Sequence, residues 1–347
     1  MHLQSRIVTI ILERERMIIM LTTIKRLLTL TCFLLFATPF HHTQAQEATY
    51  PFTGLPAPSQ EASLKRPIAV MLDNHPNARF HAGLSQADLV YEYHVEGSYT
   101  RYLTVFQSQE PQAIGPIRSA RPYFVETASD LGAIYTHYGG SPEGNQLIAD
   151  LSLNDIDGMK ASSATIWRYT DTGKVAPHNA YSNIQRMMAY SQEKKFSTSV
   201  DTPSHAFSFT PKFADIQGQA ATNIEVQFNN NNVSNFTYQE DTQNYQYSKD
   251  GTIQVDENDQ TPIQPTNIIV HQVDYQPITA GGTTLKFDQA SQGEAQLFTA
   301  GKHIPIKWTK KQGQPYQYTS QDGKPLKLNP GMTWIAFASS KSNIQFQ

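Results

Sequence analysis

RYLTVFQSQEPQAIGPIRSARPYF, residues 101–124, holds two kinds of structure in one stretch. Its first part, Arg101–Gln107, is rich in aromatic and β-branched residues and predicts a buried strand. Gly115-Pro116 then predicts a helix start, because proline fits the first helical position. That helix is expected to run to about Leu131. Arg118, Ser119 and Arg121 fall in its first turn and a half, where free N–H groups already carry partial positive charge. Two arginines there cost stability unless a negative group waits for them. The segment is therefore read as built around an anion, either a ligand's or the protein's own carboxylate.

Outward from this stretch, strands are expected at Ile68–Leu72 (IAVML), Asp88–Val95 (DLVYEYHV) and Ala133–Tyr138 (AIYTHY), with helices near Glu143–Leu151 and Asn183–Lys194. From about Asp201 short strands and turns repeat: Asn223–Phe228, Asn244–Ser248, Asn267–Tyr275, Glu294–Phe298, Ile304–Thr309 and Thr333–Phe337. Asp250-Gly251 between Lys249 and Thr252 is a hairpin turn, since both residues tolerate positive φ. The fold class is α+β: a mixed α/β N-terminal domain over 66–200, then a mainly β C-terminal domain over 201–347. Trp308 and Trp334 sit on strand patterns, where aromatics form core or stack on sugars.

The chain has 347 residues, 39% apolar and 16% charged, which suffices for one or two domains. A net charge of −3 without a basic stripe gives no nucleic-acid binder. Lys25 and Arg26 precede an apolar run from Leu27 to Phe40, and Thr43-Gln44-Ala45 fits a small-x-small cleavage site. Residues 1–45 therefore read as a secretory signal cut after Ala45, with Met17 or Met20 as alternative starts. Residues 46–65, polar and proline-rich, read as a flexible linker. Cys32 is the sole cysteine and the alternative attachment point, as a lipid anchor; Thr31 before it and apolar residues up to Phe40 depart from a lipoprotein signal. The expected location is extracytoplasmic and envelope-associated, with membrane contact only through the signal or an anchor.

The motifs AVMLDNHPNAR, ADLVYEYHVEGSYTRYLTVF, IGPIRSARPYF, HYGGS and APHNAYSN, followed by LFTAGKHIPIKW and LNPGMTWI, resemble in order and spacing the YerB family of Gram-positive envelope proteins, often described as lipoproteins. The resemblance covers nearly all of the chain after residue 50. It implies a two-domain extracytoplasmic protein with YerB N- and C-terminal domains, and it implies no activity.

Candidate site residues follow from the chemistry. Asp73 ends an apolar strand, a favoured site position in α/β sheets, or caps a turn. Glu92 and Glu96, four apart, are expected on one strand face with His94. There they divide acid and base roles, hold a metal with His94 or His137, or pair with Arg101, Arg118 and Arg121. His137 is an acid/base candidate or a buried structural histidine, and Ser141 a helix cap. Arg101, Arg118 and Arg121, with Ser119, form a candidate anion clamp. His178 and Asn179 lie in a loop able to reach a cleft. No P-loop or dinucleotide fingerprint is present, so no cofactor is expected. The expected partner is an anionic cell-wall component, a teichoic-acid phosphodiester or a peptidoglycan carboxylate. Two readings stand. In one, a hydrolase or transferase uses Glu92, Glu96 and His137 for proton transfer and Asp73, Arg101, Arg118, Ser119, Arg121, His178 and Asn179 for binding. In the other, a non-catalytic binding or scaffold protein uses the same groups as ion pairs.

Overall fold

The computed structural model describes residues 2–35, 48–202, 206–278, 285–287 and 291–347. The chain forms two compact units, Met1–Gln46 and Glu47–Gln347. In the first, helix α1 spans His2–Leu35. No helix among the described residues is long and apolar enough to cross a membrane. The expected cleavage point after Ala45 lies outside the described residues.

The second unit begins with α2 (Gln60–Ser63), β1 (Ile68–Asp73), β2 (Leu89–His94), β3 (Thr100–Phe106), α3 (Pro122–Asp130), β4 (Ile134–His137), α4 (Pro142–Asp150) and β5 (Asp155–Asp157). A two-stranded ribbon follows, β6 (Trp167–Arg168) with β7 (Ala180–Tyr181), then α5 (Ile184–Glu193). Beyond residue 200 the described elements are all strands: β8 (Gln219–Ala220), β9 (Asn223–Asn229), β10 (Asn232–Gln239), β11 (Asn244–Lys249), β12 (Thr252–Ile253) and β13 (Asn267–Gln272). The rest are β14 (Tyr275–Pro277), β15 (Leu285–Phe287), β16 (Gln292–Thr299), β17 (Lys302–Thr309), β18 (Gln317–Ser320), β19 (Thr333–Ala338) and β20 (Asn343–Phe346). The fold is α+β with a mainly β C-terminal region. Asp250 and Gly251 carry φ of 50° and 77°, as the β11–β12 hairpin requires.

Both halves of the chain contribute to one mixed sheet in the order β18–β17–β16–β13–β19–β2–β3–β1–β4–β5, with β8 alongside β17. Strand β19 joins them: it runs parallel to β13 on one side and to β2 on the other, pairing Ala336 with Glu92. A second, antiparallel sheet runs β12–β11–β10–β9–β20.

Side chains of the large sheet alternate between two cores. Val70, Leu72, Val90, Tyr102 and Trp334 pack with Val226, Phe236 and Tyr247 of the second sheet. Met71, Tyr91, Leu103, Ile335 and Phe337 pack on the opposite side with Phe124, Val125 and Ala128 of α3. Every residue of β1, β2, β3 and β19 is buried, the signature of a sheet covered on both faces. Trp334 is fully buried and Trp308 nearly so, which makes both core residues.

Two expectations change. The stretch 46–65 is not a free linker where it is described: Thr49 bridges Pro56, Phe52 is buried in the second core, and Ser59 caps α2. Burying Phe52 offsets the entropy of ordering these polar residues. The helix expected from Pro116 begins six residues later, at Pro122, with Arg121 as its extended N-cap residue at φ −137°.

Candidate functional site

The later helix start follows from where the donors of 115–121 go. Arg118 N donates to Met71 O (2.9 Å), Ile117 N to Ala180 O (2.6 Å), and Ala120 N to Gly139 O (2.9 Å). Its carbonyls are used in the same way: Pro116 O accepts from Asp73 N (2.9 Å), and Arg118 O from Tyr138 N (3.0 Å). The segment is an extended strap across the carboxyl ends of the parallel strands β1 and β4. Tertiary hydrogen bonds outweigh the local preference of Pro116, and backbone groups buried here must be satisfied one way or another. The arginines thus reach the carboxyl end of a parallel strand pair, where ligands bind in open α/β sheets.

Asp73, the last residue of β1, is the hub. His178 Nδ1 lies 2.7 Å from its Oδ2, and Arg118 Nε lies 3.2 Å from the same oxygen. His75 N donates to its Oδ1 at 3.1 Å. Burial raises the Asp73 pKa. The Arg118 charge, the His178 hydrogen bond and the Arg101 charge outweigh it, so the carboxyl sits below its ordinary value. His178 stacks on His75 with ring centres 4.6 Å apart, and His75 leans on Tyr99 at 4.7 Å. His75 Nδ1 accepts from Asn77 N (3.1 Å). Burial lowers the His75 pKa, with a further push from His178.

Arg118 is a quarter exposed, and Asp73 is its one ion-pair partner among the described residues. Its Nε is close to the carboxylate but poorly aligned and makes no hydrogen bond there. Arg168, which the sequence reading passed over, supplies a second cation. It lies over the Tyr138 ring at 4.3 Å and donates to Asn179 Oδ1 at 3.2 Å. Asn179 is buried and fixed by its own bond to Lys174 O (3.2 Å), so it positions Arg168. Burial lowers the Arg118 pKa; Asp73 opposes this, while Arg101 and Arg168 add to it, which puts both guanidiniums within electrostatic reach of Arg118.

Arg101 and Arg121 are closed off by comparison. Both pair with Glu96: Arg101 Nη2 at 3.5 Å from Oε1, and Arg121 through Nε (3.1 Å to Oε2) and a short Nη2 contact to Oε1. Arg101 Nη1 also donates to Ser119 O (3.2 Å). Here the structural-pair reading describes the geometry, and Glu96 has no proton-transfer vacancy.

Glu92 and His137 do not join them. Strand β2 ends at His94, so Glu96 lies in the following turn and shares no strand face with Glu92. Glu92 is fully buried on the face toward the second sheet. Lys249 Nζ (2.7 Å), Thr100 Oγ1 (2.8 Å), Ser234 Oγ (3.0 Å) and Trp334 Nε1 (3.1 Å) all donate to it. A carboxylate this deep is held by its pair and meets no substrate. His137 is buried, with Nδ1 against Gly139 O (2.8 Å) and Nε2 against Asp155 (3.1 Å). Both ring nitrogens are committed, so it is the structural histidine. Ser141 caps α4 through Gly144 N at 3.1 Å. No group of three or more ligating side chains that could hold a metal occurs among the described residues.

The fold and site define a class: an α+β protein that gathers Asp73, Arg118 and His178 at the carboxyl ends of a parallel strand pair, within a sheet shared by two sequence regions. Residues 52–197 match the DUF3048 N-terminal domain and residues 224–335 the DUF3048 C-terminal domain, both described as protein of unknown function. The chain belongs to this family, that of YerB. "Putative lipoprotein YerB" of Bacillus subtilis (strain 168) is 32% identical over 294 residues, spanning 84% of this chain and 86% of that protein. The crystal structure of YerB from Bacillus subtilis matches with a TM-score of 0.77 at 29% identity, covering 86% of this chain and 100% of that one.

Proposed function

We propose that this is an extracytoplasmic envelope protein that binds an anionic cell-wall component in the cleft formed by Arg118 and Arg168. The location rests on the signal-like N-terminus and on the relative described as a lipoprotein. The observation that carries the binding reading is a charge imbalance. Arg118 shares one carboxylate with His178, and Arg168 has no carboxylate partner among the described residues. A phosphate or carboxylate between two guanidinium forks satisfies both, with the planar bidentate geometry that arginine favours.

The test is binding of purified protein to sacculi with and without attached teichoic acid, and to each soluble polymer by calorimetry. Arg118→Ala and Arg168→Ala are each expected to weaken binding about 10-fold, as loss of a charge-assisted pair worth roughly 1.5 kcal/mol or more implies. Unchanged affinity in the double variant refutes the reading.

A further inference from the structure

His178 is the histidine bonded to the Asp73 carboxylate, and its second nitrogen is uncommitted among the described residues. Its Nδ1 faces Asp73 Oδ2 at 2.7 Å, while its Nε2 makes no hydrogen bond to the described residues. The ring is clamped by the stack on His75 at 4.6 Å and 17°. Its partner oxygen on Asp73 also contacts Arg118 at 3.2 Å, so imidazole and guanidinium are neighbours on one carboxylate. An anion held by Arg118 therefore lies beside the free edge of His178.

Resting on the anion-binding reading above, we propose that Asp73 and His178 form a proton-transfer pair that hydrolyses a phosphodiester held by Arg118 and Arg168. The Asp73 carboxylate stays ionised and accepts the Nδ1–H of neutral His178, which fixes the tautomer with a bare Nε2. Nε2 takes a proton from a water molecule as the water oxygen forms its bond to phosphorus. The bond from phosphorus to the leaving alcohol oxygen breaks, and its electron pair goes to that oxygen. The leaving oxygen takes its proton from solvent water and the imidazolium gives its own back to solvent, giving a phosphomonoester and an alcohol and restoring neutral His178. The two arginines offset the charge that builds on the non-bridging oxygens. His178 is the catalytic residue and Asp73 a positioning residue. A carboxylate ligand would leave this pair without a leaving group, so the proposal commits to phosphodiesters.

Two measurements on the full chain test it: binding of glycerol-phosphate polymer by calorimetry, and turnover of that polymer by mass spectrometry of released fragments, with bis(4-nitrophenyl) phosphate as a chromogenic probe. His178→Gln is expected to lower kcat by about 100- to 10,000-fold, the usual range for loss of a general base, while binding stays within about 2-fold. Asp73→Asn is expected to lower kcat without raising KM, a split that a purely structural loss does not produce, and melting curves of both variants report folding. Wild-type protein that binds the polymer and releases no fragment overturns the proposal and leaves the binding reading standing. Turnover unchanged in His178→Gln overturns it as well. Absence of binding removes both readings together.

Discussion

Lys249→Met probes what joins the two halves of the chain. Lys249 ends β11 in the second sheet and is fully buried. Its Nζ donates to Glu92 Oε1 (2.7 Å) and Ser234 Oγ (2.8 Å) and lies 5.0 Å from the Phe228 ring centre. Burial lowers its pKa, and the Glu92 charge opposes that fall. Methionine keeps the volume and removes the charge. Glu92 is then a carboxylate in a dry interior, with Thr100, Ser234 and Trp334 still donating but no cation. Breaking one side of a buried pair costs about 3–5 kcal/mol. The Glu92→Gln, Lys249→Met double variant removes both charges and is expected to recover more than half of that cost. Urea denaturation at neutral pH gives both values, and intact pairing predicts one cooperative transition for residues on either side of position 200. A single variant within about 1 kcal/mol of wild type, or a double variant no better than the single, refutes the reasoning.

Two further outcomes follow from the fold. Burial lowers the pKa of His81 and His271 to about 3. Folded imidazoles then stay neutral while unfolded ones take a proton below about pH 6.5, so each removes about 1.4 kcal/mol of stability per pH unit as pH falls from there toward 3. Asp88 and Asp130, raised to about 6 chiefly by burial, act in the opposite sense below that pH, so the clean readout is a difference. The stability gap between wild type and His271→Gln is expected to move by about 1.6 kcal/mol in the variant's favour between pH 6.5 and 5, measured by denaturant titration. Gly115→Ala places a Cβ 2.6 Å from Tyr181 Cδ1 and 2.8 Å from Ala180 O. The strap must move, at an expected cost of about 1–3 kcal/mol in unfolding free energy, with weaker anion binding measured alongside.

The strands were legible because their apolar runs are long and continuous: IAVML became β1 with its cap Asp73, and TWIAF most of β19. The turn at Asp250-Gly251 was legible from backbone chemistry alone. The strap was not. Pro116 and Pro122 both fit a first helical position, and only hydrogen bonds to residues as distant in sequence as Met71 and Ala180 decide between them. Glu92 misled for the same reason: its cation, Lys249, lies 157 residues away and looked like half of a hairpin turn. Asp73, Arg118 and His178 were legible as candidates, and the structure brings all three to one carboxylate oxygen. Arg168 carried no signal, since a single arginine between Trp167 and Tyr169 has no spacing to read; its place follows from Tyr138 and Asn179.

Most directly, a crystal structure can be grown with a short glycerol phosphodiester analogue in which a methylene replaces the leaving oxygen, so that its P–C bond resists hydrolysis. The phosphorus group is expected between the guanidiniums of Arg118 and Arg168, beside the free edge of His178. A ligand bound elsewhere, or a cleft left empty at saturating concentration, contradicts this placement.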